Sequence, residues 1–552
     1  MTRTAKKSKG DVTVADATPA SQQALGGGLE GASRIDREVA LWNPSFSSPD
    51  QIINPGKALA DARGRDIVQN DGYATGAVAL HRDNIVGSQY RLNAKPNVVA
   101  LGVTEEWAEE FQVNVESRFN TMADSQDCWF DASRKNTLTG LVRLAVGGFL
   151  MSGEVLATAE WIKEYRRPFS TAIQMISPTR LSNPDDMPDD QRLRRGMALD
   201  FRGRCTSYWI RNGYSDDPYG LTYRWTNVPA EKPWGRKLVC HIVEQLMPEQ
   251  SRGIADMVAV LKQMKMTKKF QEITLQQAVV AATYAAAIES ELPPGQVFEQ
   301  MGGGGVDPNA LGEYIGNYMS MMGEYLAASK NIAIDGVKMP HLFPGTKLNI
   351  KSLGAPGGVG DGFERSLLRH TASALGLSYE QFSRDYSNTN YSSARASMGE
   401  TWKFMASRKK MVADRVASFI YQLWLEEEWN AGRIPMPEGK TKAWFYEPGV
   451  KDALSAATWI GASRGQIDEL KETQAAILRI NSGLSTYEKE IARLGEDFRE
   501  VFEQRAREMK MAGRLGLDFT MQAEKTTSGA STQGTLKENG GRDNADNPDE
   551  EL

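Results

Sequence analysis

Cysteine and histidine are nearly missing from this chain, with three and four in 552 residues. The cysteines, Cys128, Cys205 and Cys240, lie far apart and form no C-x-x-C pair. That excludes a disulfide framework and points to a reducing compartment. Of the histidines, His81, His241, His341 and His370, none pairs at i, i+4, and only His241 adjoins a cysteine. No zinc pattern results. In a strand, Cys240 and His241 diverge to opposite faces, so a satisfied structural histidine is preferred over a metal ligand. There is no G-x-S-x-G elbow. The run Gly302–Gly305 is followed by no Lys-Ser or Lys-Thr, so it reads as a hinge and not as a phosphate cradle. Carboxylates are plentiful, but no pair stands out, and a buried acid–base pair would be invisible at this level. No catalytic residue, metal or cofactor is expected, and the chain does not read as an enzyme.

Long apolar runs are missing too. The longest, Ala278–Ile288, is too short for a bilayer, which needs about 20 residues. The basic N-terminus (Arg3, Lys6, Lys7, Lys9) is followed by no apolar segment, so it is not a secretory signal. These points predict a soluble, cytoplasmic chain. An excess of one charge is missing as well. The net charge is −5, and the last 32 residues, with seven acidic and three basic side chains, supply −4 of it. A near-neutral body argues against a dedicated duplex-gripping protein, which usually carries a strong basic excess. It does not argue against a protein that surrounds DNA without gripping it. Residues 1–39 and 516–552 hold too little apolar surface to offset the entropy of ordering, and are expected to be disordered tails.

What is present is mostly helix. Ile67, Val68, Tyr73, Ala77, Leu80 and Ile85 recur at helical spacing, broken at Asn70-Asp71-Gly72. Another helix is expected at about 104–122. Between 150 and 245 the period becomes two, with strands at 153–161, 171–176, 204–211, 223–227 and 237–244. Helix returns from Gly253 to Ser290; its Met and Ala content suits close packing better than a cofactor box. Asp307-Pro308 opens a helix with an N-cap and Pro at N1. Gly312 and Gly316 lie one turn apart there. They either let another helix come close or are merely tolerated. Residues 331–355 read as two short strands around Pro-Gly turns, made basic by Lys338, His341, Lys347 and Lys351. A helix at 363–375 ends at Gly376, and Ser378 with Gln381 forms a capping box.

The most informative stretch comes next. Tyr386–Ser393 (YSNTNYSS) is a loop of hydroxyls, amides and two aromatics, without charge, Gly or Pro. It suits brief, sequence-blind contact with a polyanion. Beyond it lies a helix of about 35 residues, whose apolar positions include Trp402, Val416 and Trp424. Arg408, Lys409, Lys410 and Arg415 sit in its middle. A solvated face is preferred there over contact with phosphate. Residues 464–512 are mostly helical, broken at 481–485.

Seven blocks in one order carry a resemblance. They are RDIVQNDGYATGAVALHRDNIVGS (65–88), MSGEVLATAEW (151–161), MISPTRLSNP (175–184), HIVEQLMPEQSRGI (241–254), TYAAAIESEL (283–292), LSYEQFSRDYSNTNYSSARAS (377–397) and LSTYEKEIARLGEDF (484–498). They resemble the lambda-type bacteriophage portal proteins, over roughly residues 40–510. The resemblance implies a mainly helical α+β portal fold. Its expected layout is a wing at 40–306, a first stem helix at 307–330, a clip at 331–360 and a second stem helix at 361–383. A tunnel loop at 384–394, a long helix and wing return at 395–450 and a helical crown at 451–515 complete it. It implies a homo-oligomeric ring of about 12 subunits at one capsid vertex of the virion, assembled in the host cytoplasm. Double-stranded DNA passes through such a ring without sequence reading. The implied protein partners are the terminase large subunit, the major capsid and scaffold proteins, and a head-completion or tail adaptor protein. No membrane is involved.

On that layout the tunnel-loop residues are Arg384, Tyr386, Ser387, Asn388, Thr389, Asn390, Tyr391 and Arg395. Arg384 and Arg395 flank the loop and could meet phosphate or make salt bridges within the ring. Lys338, His341, Lys347 and Lys351 would form the clip contact with terminase. Gly312, Ile315, Gly316 and Met319 are the candidates for stem packing. Two other classes remain open: a helical virion adaptor without a channel, and an enzyme using unseen carboxylates.

Overall fold

The computed structural model describes residues 37–217, 224–285, 359–387, 389–463 and 469–517, a hairpin at 332–334 and 337–339, and the isolated positions 313, 316, 317, 320 and 465. The elements in chain order begin with helices α1 (Pro49–Asn70) and α2 (Gly72–Ile85), strand β1 (Arg91–Ala94), and helices α3 (Val98–Leu101), α4 (Glu105–Ala123) and α5 (Leu138–Ser152). Next are strands β2 (Glu154–Trp161), β3 (Thr171–Ile176), β4 (Leu193–Arg194), β5 (Met197–Leu199), β6 (Cys205–Arg211), β7 (Trp225–Pro229) and β8 (Val239–Val243). Then come α6 (Leu261–Ala285), the hairpin β9 (Ile332–Ile334) and β10 (Val337–Met339), α7 (Val359–Ala374), α8 (Tyr379–Ser383), α9 (Tyr391–Arg408) and α10 (Asp414–Ala431). The last elements are α11 (Val450–Leu454), β11 (Ala457–Ile460), α12 (Glu469–Asn481), α13 (Tyr487–Arg493) and α14 (Phe498–Leu515). The chain is α+β and mainly helical, as expected, and every named strand pairing is antiparallel.

Two compact units are present, one of Met1–Thr75, Gly148–Thr158 and Met175–Leu375, the other of Gly76–Gly147, Ala159–Gln174 and Gly376–Leu552. In the first, β4, β5, β6 and β7 form a meander. Its core is Leu156, Ile176, Leu181, Met197, Tyr208, Ile210 and Val239. The start of β2 pairs with β8, Leu156 opposite His241. Helix α6 packs on α7, with Phe270 edge-on to Phe363 at 5.8 Å. The long helix expected from Gly253 starts later, at Leu261 after a 3-10 turn at Asp256–Val260. The reason is steric. Gly153 has φ 73°, and a Cβ on it would lie 2.1 Å from the Ile254 carbonyl carbon. A Cβ on Gly253 would in turn lie 2.1 Å from the Gly153 oxygen. The crossing holds the start of that segment out of the helix. The expected strand at 223–227 lies two residues further on, because Pro229 is what pairs with Ser207.

In the second unit α4 buries Ala108, Phe111, Val115 and Phe119, one stripe at spacings of three and four. Phe119 meets Trp424 at 5.2 Å and Tyr421 at 5.5 Å, both edge-on. Trp424 and Tyr421 lie on α10, which buries one large side chain after another. Strand β1 pairs with β11, Arg91 opposite Ile460. The expected long helix is present and runs unbroken from Tyr391 to Ala431, through a π turn at Lys409–Ala413. The C-terminal helices break at 482–486, as expected, and again at 494–497.

Candidate functional site

The polar loop is held by its own short side chains. Ser378 caps α8: its Oγ accepts from the Gln381 N–H at 3.2 Å, and Gln381 Oε1 accepts from the Ser378 N–H at 3.5 Å. This is the capping box expected from the sequence. Arg384 closes α8 in the left-handed conformation, φ 61°. Asp385, which no sequence signal marks out, organises the turn after it. Its Oδ1 accepts from the Ser387 N–H at 3.1 Å and from Ser387 Oγ at 2.6 Å, and Tyr379 Oη donates to Oδ2 at 3.3 Å. Thr389 N–H then donates to the Tyr386 carbonyl at 3.2 Å. Asn390 is the N-cap of α9, its Oδ1 accepting from the Ser393 N–H at 2.8 Å. The expected loop, 384–394, is therefore shorter. Tyr391 to Ala394 already lie in α9, because Asn390 starts the helix inside the hydroxyl-rich run.

Arg384 and Arg395 are partly or fully open to solvent, and among the described residues neither has an ion pair. Tyr386 is exposed as well. The mid-helix basic cluster is different. Lys409 Nζ bonds Asp414 at 2.9 Å and the Trp459 carbonyl at 2.8 Å, Lys410 reaches Asp414 at 3.4 Å, and Arg408 lies over the Phe404 ring at 5.1 Å. Asp414 also accepts from Tyr90 Oη. Lys409 and Asp414 tie the π turn to Tyr90 and Trp459, while Lys410 and Arg415 are exposed.

The other candidate residues divide. Asn388 lies outside the described residues, as do Gly312, Ile315, Met319, His341, Lys347 and Lys351. Gly316 is helical, and nothing described lies within 4 Å of a Cβ built on it. Lys338 is in β10, opposite Ala333.

A cluster that the sequence could not announce lies in the first unit. Glu154 is fully buried at the start of β2. Its carboxylate accepts from Arg252 Nη2 at 2.6 Å and Nε at 3.0 Å, from Lys57 Nζ at 3.2 Å and from His241 Nε2 at 3.0 Å. Lys57 also bonds Asp61 at 2.7 Å and the Ser152 carbonyl at 2.6 Å. Burial pushes the Glu154 carboxyl up, but Arg252 and Lys57 outweigh it and hold it well below the usual range. His241 is thus a satisfied structural residue, as expected. The arrangement balances charge and leaves no open face at Glu154 for a substrate. Among the described residues no group of three or more His, Cys, Asp or Glu side chains is placed to hold a metal ion. No described helix is long and apolar enough to cross a membrane.

Two carboxyls predict a pH dependence. Burial pushes Asp61 up to about 6 against the pull of Lys57, and pushes Glu116 up to about 7 although the Ala94 N–H bonds it at 2.7 Å. Both folded values exceed the unfolded ones. Folding therefore takes up protons between the two values, and stability falls as pH rises through that window. Glu154 and Glu490, held low by their partners, act in the opposite sense and at lower pH. The urea midpoint is expected to be higher near about pH 5.5 than near about pH 7.5, and Glu116→Gln to shrink the difference. Equal midpoints would reject the assignment.

The residues from 36 to 409, which include the capped loop and the buried cluster, match the family model described as "Phage portal protein, lambda family". The chain is also 37% identical over 488 residues to portal protein B of Escherichia phage lambda, covering 88% of this chain and 90% of that one. This chain belongs to the lambda family of phage portal proteins. The portal protein of Escherichia phage N15 is 38% identical over 495 residues, covering 89% of this chain and 90% of that one. A probable portal protein of Halomonas phage phiHAP-1 is 20% identical over 525 residues, with 91% of each covered. Among solved structures, a chain from the virion of a native gene transfer agent particle is 12% identical over 82% of this chain and 94% of that one, at a TM-score of 0.36. That likeness is too distant to carry detail across. Sequence coverage of the family relatives is near complete at both ends of the comparison, so the portal family describes the chain as a whole and not one module of it.

Proposed function

We propose that this portal protein forms a closed ring at one capsid vertex and that double-stranded DNA passes through the ring during packaging and ejection. The observation that carries the reading is the capped loop at 384–395. Between two arginines that have no ion pair among the described residues it presents hydroxyls and amides, and its one carboxylate, Asp385, is bonded to Ser387 and Tyr379. A channel wall must not hold its cargo. Every cation that neutralises a phosphate releases counterions and adds salt-dependent affinity, and so adds drag. One arginine on either side of a neutral loop gives weak, sequence-blind contact. The Asp385 and Asn390 hydrogen bonds keep the loop from collapsing onto passing DNA. No catalysis is assigned to the chain.

The layout that goes with this reading has a wing at 40–306, stem helices at 307–330 and 361–383, a clip at 331–360 and a crown at 451–515. A closed ring is built from head-to-tail contacts, so each subunit offers two unlike surfaces. Terminase is placed on the clip because Lys338, Lys347 and Lys351 make its edge basic. Reversing those three charges is expected to weaken terminase docking while rings still assemble, read by pull-down beside electron microscopy. Undiminished docking would reject that surface. The central test is electron microscopy of the purified protein viewed down the ring axis. Closed rings around a hole wide enough for a duplex support the proposal. Monomers under every condition would end it.

A further inference from the structure

In the second unit, the turn between β2 and β3 at 162–170 is built as a rigid platform. The Ile162 N–H donates to the Ser170 carbonyl at 2.8 Å, and Glu427 accepts from the Ser170 and Thr171 N–H groups at 2.6 Å and 2.8 Å. Arg167 is spent inside the turn, on the Phe169 carbonyl at 2.8 Å and on the Trp129 carbonyl of the adjoining 129–135 loop. Arg134 of that loop lies over the Trp129 ring at 4.1 Å and pairs with Glu164 at 2.7 Å. What this framework leaves outside is one-sided. Lys135, Lys163 and Arg166 are exposed, and among the described residues none of the three has an ion pair. Beside them Tyr165 is 91% exposed and Trp161 54%. Arg166 stands at φ 70°, which few non-glycine residues adopt, and lies over the Tyr165 ring at 5.6 Å. Tyr, Trp and Arg are the residues in which the hot spots of protein interfaces are richest.

The chain carries the matching charge itself. Asp543–Glu551 (DNADNPDEE), outside the described residues, holds five carboxylates and no cation. The stretch that joins it to Leu517, at the end of α14, reaches up to about 90 Å when extended, at about 3.5 Å per residue. We propose that the acidic segment Asp543–Glu551 docks on this turn, its carboxylates against Lys135, Lys163 and Arg166, with Tyr165 and Trp161 as the apolar floor. A nucleic acid fits the surface less well. Duplex DNA carries one charge per about 1.7 Å of axis, and proteins that hold it firmly make about six to ten phosphate contacts. Three free cations beside Glu164 are too few for that, but enough for a short acidic peptide. Each contact is an exposed charge pair, so the docking is weak and weakens further with salt.

The test is fluorescence anisotropy of a labelled, N-acetylated peptide of residues 543–552. It is titrated with the full chain and with a full chain whose tail is neutralised by Asp543→Asn, Asp546→Asn, Asp549→Asn, Glu550→Gln and Glu551→Gln. The neutral-tail chain is expected to bind the peptide about threefold or more tighter than the parent, whose own tail competes. Lys163→Gln with Arg166→Gln changes two solvent-facing side chains, so the protein is expected to fold. In the neutral-tail chain the pair should weaken peptide binding about fivefold, as two exposed charge contacts of ordinary size would. No binding to the neutral-tail chain overturns the proposal. So does equal binding to both chains, or binding that the double substitution leaves unchanged. A short DNA duplex that displaces the labelled peptide at a lower concentration than unlabelled peptide does would assign the surface to nucleic acid, and would overturn it too.

Discussion

Glu154→Ala is expected to cost this protein about 3–5 kcal/mol of folding stability, the range found when one partner of a buried ion pair is removed. The substitution leaves the Arg252 guanidinium and the Lys57 ammonium in an interior that had one fully buried carboxylate between them. Arg252 keeps only carbonyl partners, at Pro178, Leu181 and Arg195. Lys57 keeps Asp61, whose own carboxyl burial has pushed up to about 6. Neither is a full replacement. Glu154→Gln, which keeps an acceptor but not the charge, should fall between the variant and the parent. Urea unfolding measures the order. A loss below about 1 kcal/mol for the alanine variant would show that water or relaxation repairs the site. The pair itself contributes less than its removal costs. Replacing Glu154, Arg252 and Lys57 together by apolar groups of similar size is the comparison that separates the two quantities.

Replacing Asn388–Tyr391 by alternating Ala and Gly is expected to leave rings intact and to lower packaged DNA per particle by about tenfold, the factor one lost contact of about 1.4 kcal/mol represents. The change removes the Asn390 cap of α9 and every amide and hydroxyl between Ser387 and Ser392. It adds no charge, and neither Thr389 nor Asn390 is buried. Quantitative PCR on purified particles, beside electron microscopy of the rings, reads the two outcomes separately. Unchanged genome content would favour a structural adaptor without a channel. Loss of the rings would show that the segment serves assembly instead.

Local signals are legible in the sequence where one short stretch decides the outcome. Asn70-Asp71-Gly72 separates α1 from α2 because Asp71 both leaves the helical region and caps the next helix through the Ala74 N–H. Strand β3 falls on the residues its alternation marks, and the Ser378–Gln381 box is present atom for atom. Helix α5 carries no such signal. Its apolar side chains, Leu138, Leu141, Val142, Ala145, Val146, Phe149 and Leu150, are buried on several sides, so no amphipathic stripe exists to be seen. The Glu154 cluster is illegible for another reason. It joins positions 57, 61, 154, 241 and 252, which the β2–β8 pairing, the Lys57–Ser152 contact and the crossing of Gly153 with Gly253 bring together. Its one trace is a carboxylate at the head of an apolar strand. At the loop, composition reveals the neutrality but not the length, because an Asn among hydroxyls reads as loop until its oxygen is seen on the Ser393 amide.

The π turn at Lys409–Ala413 acts on the long helix as a phase shift. An α-helix advances about 100° per residue, and a π turn accommodates roughly one extra residue in the same arc. Positions on either side of it therefore no longer share a face by ordinary counting. The forward half aims Phe404 at Gly376, where any Cβ would collide with the ring, while the rear half aims Asp414 at Tyr90. One continuous rod is thus indexed twice, once to Tyr90 and once to Gly376. The angular setting of Arg395 is written into the chain about four turns away.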